Sequence, residues 1–252
     1  MSEVRVCKLH VKYDGEDGDV EALQNVSFTV QTGEFLTILG PSGCGKSTLI
    51  RAIAGFLKPE HGCVIVNGRT VSEPGSDRVM VFQEFDQLFP WLTVLDNVAF
   101  PLNFATSADS MMSKMLARKY LRMVGLNDFD GAFPHQLSGG MKQRVAIARA
   151  LAMEPGVLLM DEPFGSLDAQ TRAILQTELV RIHQEVGSTT IFITHNIQEA
   201  IILGDRILML TTRPGRIKAL VENPLDKPRM PETPEFMALW HDLYEMLEVK
   251  RY

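Results

Sequence analysis

One stretch of the chain, Gly40 to Ser47, has residue types at the spacing of a phosphate-binding loop. It runs Gly-Pro-Ser-Gly-Cys-Gly-Lys-Ser and fits the pattern G-x-x-x-x-G-K-[ST]. A short apolar segment at 35–39 precedes it, and a helical pattern over 47–54 follows it. Glycines let successive backbone N–H groups point at one phosphate, and the helix N-terminus adds its positive end. The stretch therefore predicts a nucleotide-binding loop, with an ordinary glycine-rich turn as the alternative.

The side chains of this loop have predicted roles. Lys46 is expected to reach the β- and γ-phosphates, and the Ser47 hydroxyl is expected to bind Mg²⁺. A thiol at Cys44 is in principle open to oxidation, but an inward-facing small residue is the preferred interpretation. The full set of predicted nucleotide ligands here is Gly40, Pro41, Ser42, Gly43, Cys44, Gly45, Lys46, Ser47 and Thr48.

A second candidate for chemistry is a pair of acids at the end of an apolar run. Residues 157–160 are apolar, and Asp161 and Glu162 follow them directly. An Asp that ends a strand beside a phosphate loop holds the water shell of Mg²⁺, so Asp161 is a predicted metal ligand. Glu162 lies just past the strand end and is predicted to orient or deprotonate the attacking water. The alternative is a strand end with two solvated acids.

These residues and four further motifs give the chain a resemblance to the ATPase subunit of ATP-binding cassette (ABC) transporters. The resemblance covers about residues 1–215, and the motifs keep the family's order and spacing. They are the signature Leu-Ser-Gly-Gly-Met-Lys-Gln-Arg at 137–144, the D-loop Ser166-Leu167-Asp168, the switch histidine His195 after Thr194, and the Q-loop residue Gln83. The family usually has Asp after the switch histidine. This chain has Asn196, which keeps hydrogen bonding but not the charge.

The resemblance implies a role in hydrolysis for three residues. Glu162 is implied to be the catalytic base, and His195 to contact the γ-phosphate while holding Glu162 and the water in place. Gln83 is implied to touch Mg²⁺ and the water, and to connect the site with a helical subdomain. The implied cofactors are ATP and Mg²⁺, with the metal held by Ser47, Gln83 and Asp161.

The resemblance also implies a dimer that sandwiches two ATP molecules head to tail. Ser138, Gly139 and Gly140 would bind the γ-phosphate of the ATP held by the other protomer, as a helix N-terminus allows. Asp168 of the D-loop belongs to the same predicted nucleotide site. Tyr13 stands where the family places an aromatic residue that stacks on adenine, with a plain strand aromatic as the alternative.

The elements expected to position these residues form an α/β fold. The first 30 residues alternate apolar and polar, which predicts antiparallel strands, and the strand–helix–strand pattern over 157–194 predicts a parallel sheet. Together with the resemblance this indicates a RecA-like P-loop NTPase core with an antiparallel β subdomain and an inserted helical subdomain at about 84–150. The expected ATPase domain is 1–220. A C-terminal extension over 221–252 is expected to carry one amphipathic helix that packs on the body.

Composition argues against several classes of protein. The 252 residues carry a formal net charge of −6, so the chain lacks the basic surface that nucleic-acid binding requires. No apolar run approaches the length of a membrane span, and no signal peptide is recognised. Three scattered cysteines predict small buried side chains in a reducing compartment. The chain is therefore expected to be soluble and to need a partner if it works at a membrane. The resemblance to ABC transporter ATPase subunits implies a peripheral subunit at the cytoplasmic face of the cell membrane.

Three further stretches resemble the importer group for nitrate, sulfonate, taurine and bicarbonate. They are 88–94, 162–168 and the Thr-Arg-Pro-Gly-Arg-Ile segment at 212–217. The implied function is ATP hydrolysis that powers import of a small solute, with a second, identical ATPase subunit, transmembrane permease subunits and, indirectly, a periplasmic or lipoprotein solute-binding protein. The alternatives are a lipid-trafficking or export cassette, and a soluble cassette acting on nucleic acid or ribosomes.

Overall fold

The structure is a computed structural model that describes residues 2–14, 18–83, 87–105, 110–165 and 167–247. The chain divides into two compact units. The first comprises the chain up to Gly75 and again from Gly187 onward, and the second comprises Ser76–Val186. These units are defined by compactness. The predicted ATPase domain over 1–220 and extension over 221–252 follow the family resemblance instead, and they stay a prediction.

The strands in chain order are β1 (Val4–Tyr13), β2 (Val20–Val30), β3 (Phe35–Leu39), β4 (His61–Val66), β5 (Arg69–Thr70), β6 (Arg78–Val81), β7 (Val157–Asp161), β8 (Thr189–Thr194), β9 (Arg206–Leu210) and β10 (Ile217–Glu222). The helices are α1 (Lys46–Ala54), α2 (Val94–Ala105), α3 (Ser110–Met123), α4 (Gly139–Ala152), α5 (Ala169–Val186), α6 (Ile197–Leu203) and α7 (Pro234–Leu247), with short 3₁₀ turns at Asn127–Phe129 and Pro134–Gln136.

An antiparallel sheet in the first unit has the strand order β2-β1-β4-β5. Its register pairs Val4 with Val30 on one side and with Val66 on the other. Val4 and Val6 are buried before an irregularity in β1, and Leu9 and Val11 are buried after it, so the predicted apolar–polar alternation holds on either side. The expected antiparallel β subdomain is thus confirmed.

A second sheet of the first unit is built around β3. β3 pairs in parallel with β8 and with β9, and β10 adds an antiparallel edge to β9. Every residue of β3 and β8 is buried, which is typical of parallel strands covered by helices on both faces. Since β3 ends at Leu39 and β8 ends at Thr194, the phosphate loop and the switch histidine both follow the carboxyl ends of neighbouring strands.

In the second unit, β6 pairs in parallel with β7 in a register that joins Arg78 to Val157 and Val81 to Met160. Helices α2, α3 and α4 pack on one another, around a core that includes Val98, Leu121 and Val145. The parallel pair and the helices agree with the α/β class and the helical insertion expected from the sequence.

The C-terminal helix α7 packs against α6 in the first unit. Phe236 and Leu243 are buried in one cluster with Ile197, Ile201 and Ile207. Three further apolar residues of α7 are partly buried against the same cluster: Leu239, Trp240 and Leu247. The apolar face of α7 therefore packs within the first unit. No helix among the described residues has the length and hydropathy that crossing a membrane requires.

Candidate nucleotide-binding and hydrolysis site

The phosphate loop is arranged around the ammonium group of Lys46. Lys46 is buried, and its Nζ donates hydrogen bonds to the carbonyl oxygens of Gly40 at 2.8 Å and Pro41 at 3.1 Å. Gly43 and Gly45 have φ angles of 75° and 100°, a region that residues with a Cβ rarely adopt. The loop therefore wraps over the lysine and delivers the chain directly into α1, whose first N–H groups have no intrahelical partners.

Close packing behind the loop involves the turn at Gly215, for which no structural role is predicted from the sequence. Gly215 donates its N–H to the carbonyl oxygen of Ala22 at 2.9 Å, and a Cβ on Gly215 would collide with the carbonyl oxygen of Cys44. Cys44 is buried, as the preferred interpretation expected. The Arg-Pro-Gly stretch, which lies in a segment resembling the importer group, thus packs against the phosphate loop. In the sequence, the glycine itself is the only sign of this contact.

The other two cysteines depart from the sequence expectation. Cys7 of β1 and Cys63 of β4 are only partly buried, and they lie directly opposite each other in the antiparallel register. Burial raises the pKa of the Cys63 thiol, and the neighbouring Cys7 raises it further. Their proximity was hidden in the sequence, where 55 intervening residues separate positions 7 and 63.

Tyr13 lies at the end of β1, within reach of the first turn of α1. Its hydroxyl is 3.2 Å from the hydroxyl of Thr48, and the side chain is 40% exposed. A half-exposed ring fixed by its polar tip leaves an aromatic face open beside the phosphate loop. This geometry suits a nucleobase platform.

Asp161 and Glu162 end β7 in the second unit. Asp161 is buried at the strand terminus, whereas Glu162 is half-buried and has a φ of 43°. The carbonyl oxygen of Glu162 accepts a hydrogen bond from Gly165 at 3.2 Å, which closes a tight turn. Positive φ at a residue other than glycine is uncommon and concentrates at functional positions.

The signature segment opens α4. Ser138 is the N-cap, and its Oγ accepts a hydrogen bond from the N–H of Met141 at 3.3 Å. Ser138 and Gly139 are exposed, and Gly140 packs so that a Cβ there would lie 3.0 Å from Leu167. The helix end is therefore open to an anion from outside this protomer.

The D-loop is described at Leu167 and Asp168, while Ser166 lies outside the described residues. Asp168 is exposed, and its Oδ1 accepts a hydrogen bond from the N–H of Thr171 at 2.9 Å, just before α5. The hydrogen bonds from Thr171 hold the pKa of this carboxyl below its usual value. Asp168 is thus the N-cap of α5 as well as a predicted nucleotide contact.

Gln83 is exposed, and its neighbour Phe82 is held by two glutamines that the sequence did not single out for a role. Gln143 of α4 is buried and donates to the carbonyl oxygen of Phe82 at 3.1 Å. Gln87 donates to the same carbonyl at 3.0 Å and to the side chain of Gln143 at 3.3 Å. The start of the Q-loop is thereby tied to the helix that carries the signature. Residues 84–86 lie outside the described residues.

His195 is exposed and stands between two anchored residues. Thr194 donates from its hydroxyl to the buried carboxylate of Glu199 at 2.5 Å, and the N–H of Asn196 donates to the Thr194 hydroxyl at 3.0 Å. Asn196 caps α6 by accepting from the N–H of Glu199 at 3.2 Å. The departure at Asn196 therefore keeps the capping function. Glu199 was missed because an acid in a first helical turn has no special spacing.

The predicted site residues fall into two groups. The first unit holds Tyr13, the loop 40–48 and His195, and it joins Tyr13 to Thr48 directly. The second unit holds Gln83, Ser138, Gly139, Gly140, Asp161, Glu162 and Asp168. Among the described residues no cluster of three His, Cys, Asp or Glu side chains is placed to hold a metal. Mg²⁺ needs no such cluster, because one or two protein oxygens together with phosphate oxygens and water suffice.

The fold and the glycine-framed lysine loop define a P-loop nucleotide-binding α/β protein. The family model "ABC transporter" matches residues 23–165. The chain belongs to the ABC transporter family and is an ATPase of that family.

Curated proteins from several organisms resemble this chain. An uncharacterized ABC transporter ATP-binding protein of Methanocaldococcus jannaschii is 51% identical over 229 residues, covering 91% of this chain and 85% of the relative. The taurine import ATP-binding protein of Rhizobium johnstonii is 52% identical over 200 residues, covering 79% and 76%. The nitrate import ATP-binding protein of Synechococcus elongatus is 44% identical over 240 residues, covering 93% of this chain but 36% of the relative.

A solved structure has the same fold as this chain. It is a dimeric, post-hydrolysis state of an ATP-binding cassette bound to ADP and phosphate. It is 33% identical, has a TM-score of 0.80, and covers 88% of this chain and all of the solved chain. The RecA-like cassette fold expected from the sequence is thereby confirmed.

Proposed function

We propose that this chain is the ATP-hydrolysing subunit of a membrane importer for a small anion such as nitrate, a sulfonate, taurine or bicarbonate. The observation that carries the proposal is the loop closed over buried Lys46, in a chain whose relatives include nitrate and taurine import ATP-binding proteins. Which solute is carried is a property of other subunits. The ATPase subunit supplies energy and does not bind the solute. Its relatives are therefore expected to share the mechanism of hydrolysis even where their solutes differ.

In this proposal the residues of one protomer prepare ATP for attack. On ATP binding, the Lys46 ammonium exchanges its two carbonyl partners for phosphate oxygens, and the loop N–H groups surround the β-phosphate. Ser47, Asp161 and Gln83 would hold Mg²⁺, which would supply charge neutralisation on the phosphates. Glu162 accepts the proton of the attacking water, and His195 contacts the γ-phosphate. Tyr13 stacks on the adenine.

Hydrolysis further requires a second copy of the chain. Ser138 and Gly139 are exposed at the N-terminus of α4, and the positive end of a helix favours a phosphate. Together with Gly140 and Asp168 they complete the ATP site of the other protomer. The solved relative is dimeric with ADP and phosphate bound, which supports this arrangement. Hydrolysis then depends on assembly, because each site lacks these donors without a partner.

A group of exposed aromatic side chains in the second unit suits a membrane partner. Trp91 and Phe104 are 71% and 76% exposed, and they are joined through Phe89 and Phe100 by ring contacts of 4.9 to 5.5 Å. Such a connected apolar surface on a soluble domain indicates a protein contact. Exposed methionines follow on α3, at Met111, Met112 and Met115, and they add an adaptable border. We assign this surface to a cytoplasmic loop of the permease subunits.

The same proposal fixes location and organisation. The chain acts at the cytoplasmic face of the cell membrane, held there by permease subunits, and a periplasmic or lipoprotein solute-binding protein delivers the anion from the other side. Residues 1–220 act as the ATPase domain, with a helical subdomain at about 84–150 carrying the aromatic surface. Residues 221–252 form the extension.

A pull-down from native membranes tests the proposal. Tagged Glu162→Gln protein is expressed in its native cells and recovered with ATP from detergent-solubilised membranes, and mass spectrometry identifies its partners. A polytopic membrane protein at a fixed ratio is expected. Trp91→Ser with Phe104→Ser should lose this partner, whereas Met237→Ser, a matched exposed apolar residue on α7, should keep it.

Other results would contradict the proposed function, and uptake measurements would identify the solute. Recovery of ribosomal proteins or nucleic acid, with no membrane protein, would contradict the transporter assignment. With the partner established, uptake of labelled nitrate, taurine, alkanesulfonate and bicarbonate is measured in cells that carry Glu162→Gln at the native locus. Loss of uptake of one anion identifies the solute. Unchanged uptake of all four, together with impaired efflux or lipid transfer, would contradict import of these anions.

A further inference from the structure

The short helix that follows the switch histidine is held at its far end by residues of the C-terminal extension. Arg229 Nη1 donates hydrogen bonds to the carbonyl oxygens of Ile201 at 3.1 Å, Ile202 at 3.2 Å and Gly204 at 2.8 Å. Asn223 Nδ2 donates to Ile201 at 2.8 Å and to Gly204 at 2.9 Å. We call Asn223 and Arg229 the tail clamp.

The clamp supplies what this helix cannot supply itself. α6 has seven residues, so most of its carbonyl groups fall in the last turn and lack partners within the helix. A helix of this length is also unstable on its own in water. Arg229 is 8% exposed, although burying a guanidinium is costly. The hydrogen bonds that the guanidinium donates to several carbonyl oxygens, including that of Leu225 at 2.8 Å, offset this cost.

Asp205 connects the clamp to the central sheet. Its Oδ2 accepts a hydrogen bond from the N–H of Phe35, the first residue of β3, at 2.9 Å. Its Oδ1 lies 2.6 Å from Lys227 Nζ and 3.6 Å from Arg229 Nη2. The clamp is therefore anchored to the strand that leads into the phosphate loop, and the position of α6 along its axis is fixed against that strand.

His195 lies two residues before the first residue of the same helix, at its opposite end. Thr194 and Asn196, on either side of His195, both bond to Glu199 in the first turn of α6. A seven-residue helix is about 10 Å long, so a shift at the clamped end moves Glu199 and, through it, the backbone on both sides of His195. No loop or flexible segment lies between the two ends to absorb such a shift.

We propose that Arg229 is a positioning residue for ATP hydrolysis, which sets the place of the switch histidine by fixing the carboxyl end of α6. The inference rests on the proposed role of His195 at the γ-phosphate. It assigns to the extension a part in turnover that none of the motifs contains. Burial lowers the pKa of the Arg229 guanidinium, and the Asp205 carboxylate partly counters this effect.

A double-mutant cycle tests this inference on the full chain in complex with its membrane partner. Arg229→Met, His195→Ala and the double variant are compared for hydrolysis of radiolabelled ATP, which keeps slow rates measurable. Arg229→Met is expected to lower kcat about tenfold, since small displacements of a catalytic group are costly, with KM for ATP nearly unchanged. In the His195→Ala background the same change should have no further effect on kcat.

Amide hydrogen exchange gives a readout that does not depend on catalysis. Backbone amides of 194–199 are expected to exchange faster in Arg229→Met than in the unmodified chain. Lys218→Met, which removes an exposed cation from β10, should leave both exchange and kcat unchanged. If Arg229→Met does not fold, Asn223→Ala removes two of the clamp's hydrogen bonds without burying a new group and takes its place in the cycle.

The possible outcomes are distinct. An equal loss of kcat from Arg229→Met in both backgrounds, or an unchanged exchange at 194–199, would overturn the positioning role and leave a purely structural one. If His195→Ala keeps the full kcat, the proposed role of His195 fails and the inference fails with it. If His195→Ala lowers kcat while Arg229→Met changes only KM, the inference alone fails.

Discussion

The phenol oxygen of Tyr13 lies 3.2 Å from the hydroxyl oxygen of Thr48, so the end of β1 is hydrogen-bonded to the first turn of α1. The strand that carries the aromatic ring and the helix that begins at Lys46 are thus fixed to each other within one unit. A purine on the ring and phosphates in the loop would then be held at a set spacing before ATP arrives. Binding to a site already in place costs less ordering entropy.

Two substitutions at Tyr13 separate stacking from this hydrogen bond. Tyr13→Phe keeps the aromatic face and should leave KM for ATP within about fivefold, because a half-exposed hydrogen bond contributes only about 1 kcal/mol. Tyr13→Ala removes the face and should raise KM by on the order of tenfold or more, as base stacking contributes about 1–3 kcal/mol. Steady-state ATPase assays measure both. Equal KM values for the two variants would contradict the stacking role.

Substitution of Glu162 tests the catalytic base. Glu162→Gln keeps the size of the side chain but cannot accept the proton of the attacking water. Turnover should fall by at least about a hundredfold, since general-base catalysis contributes on this order, while ATP still binds. The ATP-bound dimer should then persist and elute at twice the mass in size-exclusion chromatography. Turnover near the unmodified rate would refute the assignment of Glu162.

Gly45 and Gly68 form a matched pair for the conformation of the phosphate loop. Both have positive φ, at 100° and 75°, but a Cβ on Gly45 would lie 2.7 Å from the carbonyl oxygen of Ala22 whereas one on Gly68 would meet nothing within 4 Å. Gly68→Ala should cost about 1 kcal/mol of backbone strain, which lowers Tm by about 2–4 °C in a chain of this size.

Gly45→Ala adds a steric collision to the same strain. Its Tm should fall by clearly more than that of Gly68→Ala, and its affinity for ATP should fall as well, because the loop has to move away from β2. Differential scanning fluorimetry with and without ATP measures both effects. A Gly45→Ala chain with the stability and the ATP-induced shift of Gly68→Ala would show that the loop geometry described above is wrong.

The Asp205 carboxylate makes the first unit sensitive to acid. Burial by itself raises the pKa of Asp205, but hydrogen bonds from Lys227 and the Phe35 N–H, with the charges of Lys227 and Arg229, bring the pKa below its usual value. Because the folded pKa is lower than the unfolded one, the stabilisation is present above about pH 4 and is lost as the pH falls through the folded value.

Urea denaturation of the unmodified chain and of Asp205→Asn from pH 7 to pH 3 checks this linkage. The Asn variant should be less stable at neutral pH, and the difference between the two chains should shrink below about pH 4. A difference that stays constant down to pH 3 would show that the ionised carboxylate contributes no stability through Lys227 and Arg229.

Much of the site could be predicted from the sequence because its chemistry is local. The loop at 40–48 needs its glycines, its lysine and its serine within nine consecutive positions, and the acids at Asp161 and Glu162 need only the strand before them. The periodicity of β1 and the burial of β3 and β8 likewise follow from short-range patterns of apolar residues. These features fix the α/β class and the nucleotide-binding character.

Contacts between distant parts of the chain could not be predicted in this way. Arg229 reaches the carbonyl oxygens of α6 across 25 to 28 positions, Gly215 supports Cys44, and Gln143 holds Phe82 across 61 positions. Gln143 and Gly215 do lie within motifs of the sequence, but no local pattern in those motifs or around Arg229 indicates these distant partners. The tertiary structure selects them because buried carbonyl groups must find donors, and a closely packed loop leaves no room for a Cβ. The sequence by itself determined which chemistry this protein carries, and only the folded chain decided which residues hold that chemistry in place.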